Sequence, residues 1–194
     1  EGPPRPGSRP AIERKGLLKC RRTLRHMPIP DFVLALRSRV GNELLWLPGV
    51  SAVVIHRDGR LLLGRRADNG LWAVVSGILE PGEQPALAAV REVLEETGIH
   101  AVVEGLAAVS SSFEPVQYEN GDRAQYLDLT FLCHAVGTDD PHVADDESTA
   151  VGWFSADALP APLMKSSRER IARALAYRAH PENGTWFARP APVR

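Results

Sequence analysis

The fold of this chain is decided by residues 77–99, which read GILEPGEQPALAAVREVLEETGI. Turn residues fill the first part, because Pro81 fixes its own φ and Gly82 suits a positive φ. Pro85 suits the first turn of a helix, where a missing N–H is tolerated, and Gly98 suits its end. The stretch therefore predicts a loop, then a helix, then a stop.

The helix predicted after Pro85 has two chemically different sides. At about 100° per residue, aliphatic side chains gather on one side and glutamates on the other. The aliphatic side consists of Leu87, Val90 and Leu94, with Ala86 and Val93 beside them. The acidic side consists of Glu92, Glu95 and Glu96. We expect the aliphatic side to pack on a sheet. Because like charges at this spacing repel by about 0.2–0.5 kcal/mol per pair, we expect a cation beside the glutamates, a solvated acidic face being the alternative.

The same residues follow the pattern G-x5-E-x7-R-E-U-x-E-E-x-G-U, in which U is aliphatic. The matching positions are Gly77, Glu83, Arg91, Glu92, Val93, Glu95, Glu96, Gly98 and Ile99. This pattern is the Nudix box, so the chain resembles the Nudix hydrolases, which include MutT-like enzymes and ADP-ribose pyrophosphatases. The order of predicted elements favours an α/β or α+β fold. The resemblance implies more, namely an α/β/α sandwich with a mixed β-sheet.

Carboxylates on one helical face are hard oxygen ligands of the kind that Mg²⁺ prefers, and no histidine or cysteine lies inside the box to suggest zinc. The resemblance implies that Glu92, Glu95 and Glu96 bind divalent ions together with the carbonyl of Gly77. It also implies that Glu83 and Arg91 support these ligands, so that the catalytic set is Glu83, Arg91, Glu92, Glu95 and Glu96. We expect Mg²⁺, with Mn²⁺ as a substitute, to neutralise a diphosphate and activate water.

Two regions outside the box contribute possible substrate contacts. Arg65 and Arg66 follow a predicted hairpin that flanks the substrate in the family, so they are candidate phosphate ligands, although exposed strand-end arginines are common. Tyr118 lies near the place where diadenosine polyphosphate hydrolases carry a tyrosine. Phe113, Tyr118 or Tyr126 could stack on a nucleobase or belong to the core.

A general base outside the box is one hypothesis, and a base within the box is the alternative. Asp145, Asp146 and Glu147 precede a predicted strand, in a region from which some Nudix hydrolases draw a catalytic or metal-binding carboxylate. Solvated loop acids are the alternative for at least two of them. If the loop closes on the site, replacing Glu147 with glutamine lowers kcat.

The substrate is selected outside the box, so the box alone does not name it. Pro115 lies sixteen residues beyond Ile99 and resembles the downstream proline of ADP-ribose pyrophosphatases. We therefore expect cleavage of a nucleoside diphosphate linked to another group, with ADP-ribose first. A MutT-type (d)NTP pyrophosphatase is the close alternative. A catalytically silent nucleotide sensor is the alternative from another class, but such proteins typically lose box glutamates.

Composition agrees with one globular domain of 194 residues, with 44% apolar and 24% charged residues and a net charge of -1. This balance suggests no nucleic-acid partner and no membrane contact. The resemblance implies a small-molecule nucleotide substrate, and a homodimer is possible. The two cysteines suggest no disulfide scaffold and therefore a cytoplasmic location.

Four segments are predicted along the chain. They are a disordered leader at 1–26, an N-terminal helix and lead-in at 27–47, the Nudix hydrolase domain at 48–179 and a C-terminal tail at 180–194. Within the lead-in, helical spacing predicts an amphipathic helix over 31–40 with Phe32, Leu36 and Val40 on its apolar side. This side packs either on its own domain or on a second subunit, and the sequence does not choose between them. Strands are predicted over 44–56, 61–64, 71–75, 99–112, 124–136 and 151–154, and a helix over 166–178 with its arginines outward.

Overall fold

The computed structural model describes residues 29–112, 114–137 and 140–190. The leader predicted at 1–26 and the aromatic residue Phe113 lie outside these ranges, and the four-segment division stays a prediction. The helices are α1 (Asp31–Val40), α2 (Pro85–Thr97) and α3 (Lys165–Ala179), followed by a 3-10 turn at Pro181–Asn183. The strands are β1 (Leu44–Ile55), β2 (Leu61–Arg66), β3 (Trp72–Ala73), β4 (Val75–Ile78), β5 (His100–Ser111), β6 (Val116–Gln117), β7 (Arg123–Val136) and β8 (Ser148–Phe154).

The strands form one mixed eight-stranded sheet. Its main order is β3-β2-β1-β7-β5, with β4 beside β1, β6 beside β7 and β8 beside β2. β1 and β7 run parallel, whereas the other strand pairs are antiparallel. The mixed sheet expected from the resemblance is therefore confirmed.

Helices cover both faces of the sheet. Alternate residues of each strand point to opposite sides, so each face has its own cluster of buried side chains. The cluster under α2 contains Val50, Ala52, Val54, Leu62, Val75, Ala88, Ala89, Val93, Ile99, Phe131 and Cys133. The cluster under α3 contains Val53, Ile55, Leu61, Leu63, Val74, Ala107, Leu132, Ile171 and Ala174. This arrangement is the α/β/α sandwich that the resemblance implied.

The side of α2 that packs on the sheet differs from the prediction. Leu87 is 62% exposed and Leu94 41% exposed, whereas Ala88, Ala89 and Val93 are buried. The prediction that Leu87 and Leu94 pack on the sheet was therefore wrong. Small side chains allow the helix backbone to approach the sheet closely. This rotation also turns one edge of the acidic side inward.

α1 has the predicted bounds, and only part of its apolar side packs on the domain. Val33 is buried against Leu47 and Ala124, whereas Leu36 and Val40 are each 41% exposed. Phe32 is half-buried against the same cluster. Within the described chain, the apolar side of α1 therefore packs on its own domain through Phe32 but not through Leu36 and Val40.

The strands around the predicted hairpin also differ from expectation. Arg65 and Arg66, predicted to lie in a loop, belong to β2, which is extended by pairing with β8. The single strand predicted over 71–75 is divided into β3 and β4. β3 continues the hairpin with β2, whereas β4 pairs with β1, so the chain changes partner between them.

A buried ion pair joins β7 to α3. The Asp128 carboxylate accepts hydrogen bonds from Arg170 Nη2 (2.9 Å) and Nε (3.2 Å) and from the hydroxyls of Ser51 (2.6 Å) and Thr130 (2.6 Å). The prediction that the arginines of this helix point outward was therefore wrong for Arg170, which this carboxylate draws inward. Within the part of the chain that the structure describes, no helix is long and apolar enough to cross a membrane.

Candidate active site

Glu96 is the most buried carboxylate of the predicted box. Its side chain lies in the last turn of α2 and is 7% exposed. Gly64 of β2 lies beside it and leaves room for Ser148, since a Cβ at Gly64 would lie 2.8 Å from Ser148 Oγ. Burial raises the pKa of Glu96 well above its usual value, and the charges of Glu147 and Glu92 raise it further. Glu96 therefore lies in a low-dielectric site beside other carboxylates.

Glu147 faces this region from the loop before β8. Burial raises its pKa to about 7, with further contributions from Asp145 and Glu92. The loop is held on both sides of Glu147, because Ala67 N–H donates to the Glu147 carbonyl (2.7 Å) and Glu147 N–H donates to Asp145 Oδ1 (2.9 Å). Asp146 is exposed. Of the three predicted loop acids, Glu147 is therefore the one that lines the same small pocket as Glu96.

The loop that carries Glu147 is attached to the end of α2. His142 N–H donates to the Thr97 carbonyl (3.0 Å), and Ala144 N–H donates to the Glu96 carbonyl (3.2 Å). Gly98 ends α2 at a φ of 68°, and a Cβ there would collide with the His142 ring. Gly98 therefore ends the helix and also seats the loop. Sequence reasoning identified only the first role, because the loop contact joins distant parts of the chain.

Glu92 approaches the backbone of β4. A Cβ on Gly77 would collide with the Glu92 carboxylate, so the first box glycine is required for this packing. Burial raises the pKa of Glu92, whereas the charge of Arg91 lowers it. Gly77 and Glu92, predicted to act together, therefore lie side by side.

Arg91 ties the outer carboxylates of the box together. Its Nε and Nη2 donate to Glu83 (2.8 and 3.1 Å), and its Nη1 donates to Glu95 Oε2 at 2.8 Å. The same Nη1 lies 3.0 Å from Glu92 Oε1. Hydrogen bonding to Arg91 lowers the pKa of Glu83. Arg91 therefore supplies part of the positive charge that was expected beside the glutamates. The side chain of Glu95 is 55% exposed and points towards Arg91.

The two predicted phosphate ligands on β2 separate. Arg66 forms a two-point ion pair with Asp68 (2.9 and 2.7 Å), and its positive charge lowers the pKa of both Glu96 and Glu147. Arg65 instead donates to the Gly70 carbonyl (3.0 Å). Successive strand residues point to opposite faces, so only Arg66 lies with the carboxylates.

Tyr118 pairs with another tyrosine. Its hydroxyl lies 2.7 Å from that of Tyr126, and both rings pack in the cluster that contains Val33 of α1. Burial, followed by the proximity of Tyr118, raises the pKa of Tyr126. The pKa of Arg66 is raised in part by Tyr118, so the tyrosine pair borders the Arg66 side of the site.

The donors in this region fit a divalent cation. Within residues 29–112, 114–137 and 140–190, no three acidic, histidine or cysteine side chains converge as a preassembled metal site. The pKa values of Glu92, Glu96 and Glu147 are nevertheless all raised by burial and by neighbouring negative charge. Carboxylate oxygens are the ligands that Mg²⁺ selects, and a cation would offset this repulsion.

Comparisons with known proteins agree with this geometry. The NUDIX domain family matches residues 45–175. A MutT-like protein of Streptomyces ambofaciens is 39% identical over 126 residues, which cover 65% of this chain and 75% of that protein. A putative 8-oxo-dGTP diphosphatase of Bacillus subtilis is 30% identical over 128 residues, which cover 66% of this chain and 78% of that protein. The crystal structure of a MutT Nudix hydrolase from Burkholderia pseudomallei superposes with a TM-score of 0.55 at 30% identity, covering 66% of this chain and 98% of that one.

Proposed function

Because the chain belongs to the Nudix family and is a hydrolase of pyrophosphate bonds, we propose that it cleaves a phosphoanhydride bond of a small nucleotide with Mg²⁺. Nudix hydrolases generally use divalent cations. In this proposal, Glu92, Glu95, Glu96 and the Gly77 carbonyl bind the ion, and Mn²⁺ can replace it. When bound, the cation neutralises the diphosphate and lowers the pKa of a water molecule.

The observation that carries the proposal is the burial of Glu96 at the end of α2, where it shares one small pocket with Glu147. Glu96 is 7% exposed, and Glu92 and Glu147 raise its pKa by their charge. Burying like charges together costs several kcal/mol unless a partner compensates them. Arg66 compensates only part of this charge, because the pKa of Glu147 stays raised, to about 7. A bound divalent cation would remove the remaining repulsion between these carboxylates. If the carboxylates were only structural, their mutual repulsion would destabilise the fold without any benefit.

The protein groups divide the work around the ion. Arg66 binds phosphate oxygens of the substrate, since its guanidinium lies beside the carboxylates. Glu147 accepts a proton from the attacking water, because its carboxylate lines the same small pocket as Glu96. Arg91 positions Glu95 and Glu92 by hydrogen bonding and charge, with Glu83 holding its other edge.

The substrate group is inferred from similarity as well as from the site. Two relatives are named a MutT-like protein and a putative 8-oxo-dGTP diphosphatase. We therefore place a nucleoside triphosphate first, with water attacking so that a nucleoside monophosphate and pyrophosphate form. ADP-ribose is the second candidate, favoured by Pro115, which lies exposed directly before β6. In either substrate the bond that breaks is a phosphoanhydride.

Product analysis tests both candidates. The protein is incubated with Mg²⁺ and dGTP, 8-oxo-dGTP or ADP-ribose, and the phosphate products are separated. We expect a monophosphate plus pyrophosphate from the triphosphates. AMP plus ribose phosphate in preference would make ADP-ribose the substrate. Cleavage of none of them, or equal cleavage in the presence of a chelator, would contradict the proposal.

The arginines of β2 provide a matched pair of variants for the same assay. We expect Arg66→Gln to raise KM by about tenfold or more, since a charge-assisted hydrogen bond contributes roughly 1.5–3 kcal/mol. Arg65→Gln removes the same charge from the neighbouring residue, which binds Gly70 instead. Equal effects of the two variants would remove Arg66 from the substrate site.

A further inference from the structure

A cavity of about 570 Å³ lies between α3 and the segment that follows it. This volume falls within the range of small-molecule pockets, which is roughly 300–1,000 Å³. The cavity borders β5, whereas Glu96 lies beside β2, and these strands are separated by β1 and β7. It is therefore a different place from the candidate active site.

Small side chains create the cavity, and backbone pairing holds its outer wall. Ala107 of β5 and Ala172 and Ala176 of α3 are among its lining residues and leave the space unfilled. Trp186 N–H donates to the Ala107 carbonyl (2.9 Å), and the Trp186 carbonyl accepts from Val109 N–H (2.9 Å). The segment after α3 is thus joined to the edge strand β5 by one isolated parallel bridge between Trp186 and Ala108. The wall is fixed by main-chain bonds, so its side chains are presented in a defined place.

Two aromatic rings of this wall are exposed next to arginines. Trp186 is 41% exposed and Phe187 is 52% exposed. The Arg173 guanidinium lies 3.6 Å from the centroid of the Trp186 ring, and that of Arg189 lies 5.3 Å from the centroid of the Phe187 ring. All four residues line the cavity. Exposed rings interleaved with arginines favour a ligand that carries both a planar aromatic group and negative charge.

The charge of the surrounding surface also favours a negatively charged ligand. Apart from Arg170, which pairs with Asp128, residues 165–190 contain five lysine or arginine residues and two acidic residues, although the whole chain has a net charge of -1. Of the two acidic residues, Glu169 lies 3.8 Å from Arg173, and Glu182 lies 3.1 Å from His180. Positive charge therefore predominates around the cavity and would attract an anion.

We propose that this cavity binds a nucleotide unit, with its base stacked on Trp186 or Phe187 and its phosphate facing Arg173 and Arg189. The same chemistry is offered by a free nucleotide and by one residue of a single-stranded nucleic acid. The site lies outside the catalytic carboxylates, so the inference goes beyond the proposed function and does not depend on which pyrophosphate substrate is cleaved.

Binding of a nucleotide that is not a substrate tests this inference. AMP lacks a phosphoanhydride bond, so the protein cannot hydrolyse it during a calorimetric titration. We expect Trp186→Ala to weaken AMP binding about fivefold or more, because stacking of a base on an aromatic ring contributes strongly to affinity. Ala176→Leu should weaken it similarly by filling the cavity from an exposed position of α3 that tolerates leucine.

Ala179→Leu is the matched control, since Ala179 is also exposed on α3 but does not line the cavity. It should bind AMP as the wild type does, and kcat for the pyrophosphate substrate should be the same in all of these proteins. A parallel titration with single-stranded oligoadenylate separates the two sources of ligand. Binding of AMP alone indicates a free nucleotide, and binding only of the oligonucleotide indicates a strand. The inference is overturned if neither ligand binds at millimolar concentration, or if Trp186→Ala and Ala176→Leu bind both as tightly as the control.

Discussion

Asp128 and Glu96 are two carboxylates with almost the same burial and opposite surroundings. Asp128 is 6% exposed and Glu96 is 7% exposed. Asp128 accepts hydrogen bonds from Arg170 and from two hydroxyl groups, at 2.6 to 3.2 Å. Glu96 instead has Glu92 and Glu147 as charged neighbours, and its pKa is raised well above the usual value.

The difference separates a structural carboxylate, Asp128, from one that we propose to be functional, Glu96. A buried charge whose hydrogen-bonding capacity is filled by the protein fastens secondary elements together, as Asp128 fastens β7 to α3. A buried charge that the chain surrounds with like charges is unfavourable on its own, and such groups cluster at functional sites. We therefore expect substitution of the two residues to have opposite signatures in activity and stability.

The largest effect is expected for Glu96→Gln. We expect kcat to fall on the order of 10³-fold or more, because loss of one group that stabilises developing charge already costs about 10²–10³. Without divalent cation, stability should stay the same or rise, since a neutral amide removes the repulsion from Glu92 and Glu147. Turnover is measured with Mg²⁺ and unfolding in a chelator, with Glu80→Gln in the exposed loop before α2 as control. Turnover near that of the wild type would contradict the proposed catalytic role of Glu96 and remove its contrast with Asp128.

The opposite signature is expected for Asp128→Ala. Removing this carboxylate leaves Arg170 buried without its partner, which costs about 3–5 kcal/mol of unfolding free energy. Denaturant titration measures the loss, and turnover per folded molecule should change little. The double variant Asp128→Leu with Arg170→Leu should recover most of the stability, because apolar side chains can replace a buried pair. A loss below about 1 kcal/mol in the single variant would mean that the pair is not structural.

Glu96 and Asp128 also show which features of the structure can be predicted from the sequence. The box identifies Glu92, Glu95 and Glu96 together, because they lie within one helix and their spacing is local. The pairing of Asp128 with Arg170 joins residues 42 positions apart and leaves no local pattern, so it was not predicted. Overall topology was predictable because residues 77–99 identify a family whose fold is known.

Orientation was less predictable than identity. Periodicity placed Leu87 and Leu94 towards the sheet, yet both are exposed. Helical periodicity at 100° per residue identifies a hydrophobic side, but it does not take side-chain size into account. Ala88, Ala89 and Val93 pack more closely on the sheet than the two leucines would. Similarly, adjacent Arg65 and Arg66 look equivalent in the sequence, and only the pleat of β2 shows which one meets the carboxylates.

A smaller effect is expected for Gly98→Ala, which tests how Glu147 is brought to Glu96. Both Gly98 and Gly59 have a positive φ, at 68° and 92°, so alanine costs about 1 kcal/mol at either position. At Gly98 the new Cβ would also collide with His142 and displace the loop, whereas at Gly59 nothing lies within 4 Å. We expect Gly98→Ala to lose stability and to lower kcat about tenfold, and Gly59→Ala to lose stability alone. Equal kcat in the two variants would show that the loop does not position Glu147.

The smallest effect expected is a pH dependence that belongs to Glu147. The pKa of its carboxyl rises from 4.5 to about 7 in the folded protein, because of burial first and the charge of Asp145 next. Between these two pH values the folded protein retains a proton that the unfolded chain has released, so unfolding free energy falls as pH rises through this window. Since the side chain is partly exposed, we expect about 1 kcal/mol.

Glu147→Gln removes this proton equilibrium, so in a chelator the variant should lose less stability than the wild type between pH 4.5 and pH 7. Thermal unfolding of both proteins across that range measures the difference. Adding Mg²⁺ at pH 7 should stabilise the wild type more than the variant, because only the wild type presents the extra negative charge there. Parallel pH curves in the chelator would mean that Glu147 does not share the electrostatic environment of Glu96, and the contrast with Asp128 would then depend on Glu92 alone.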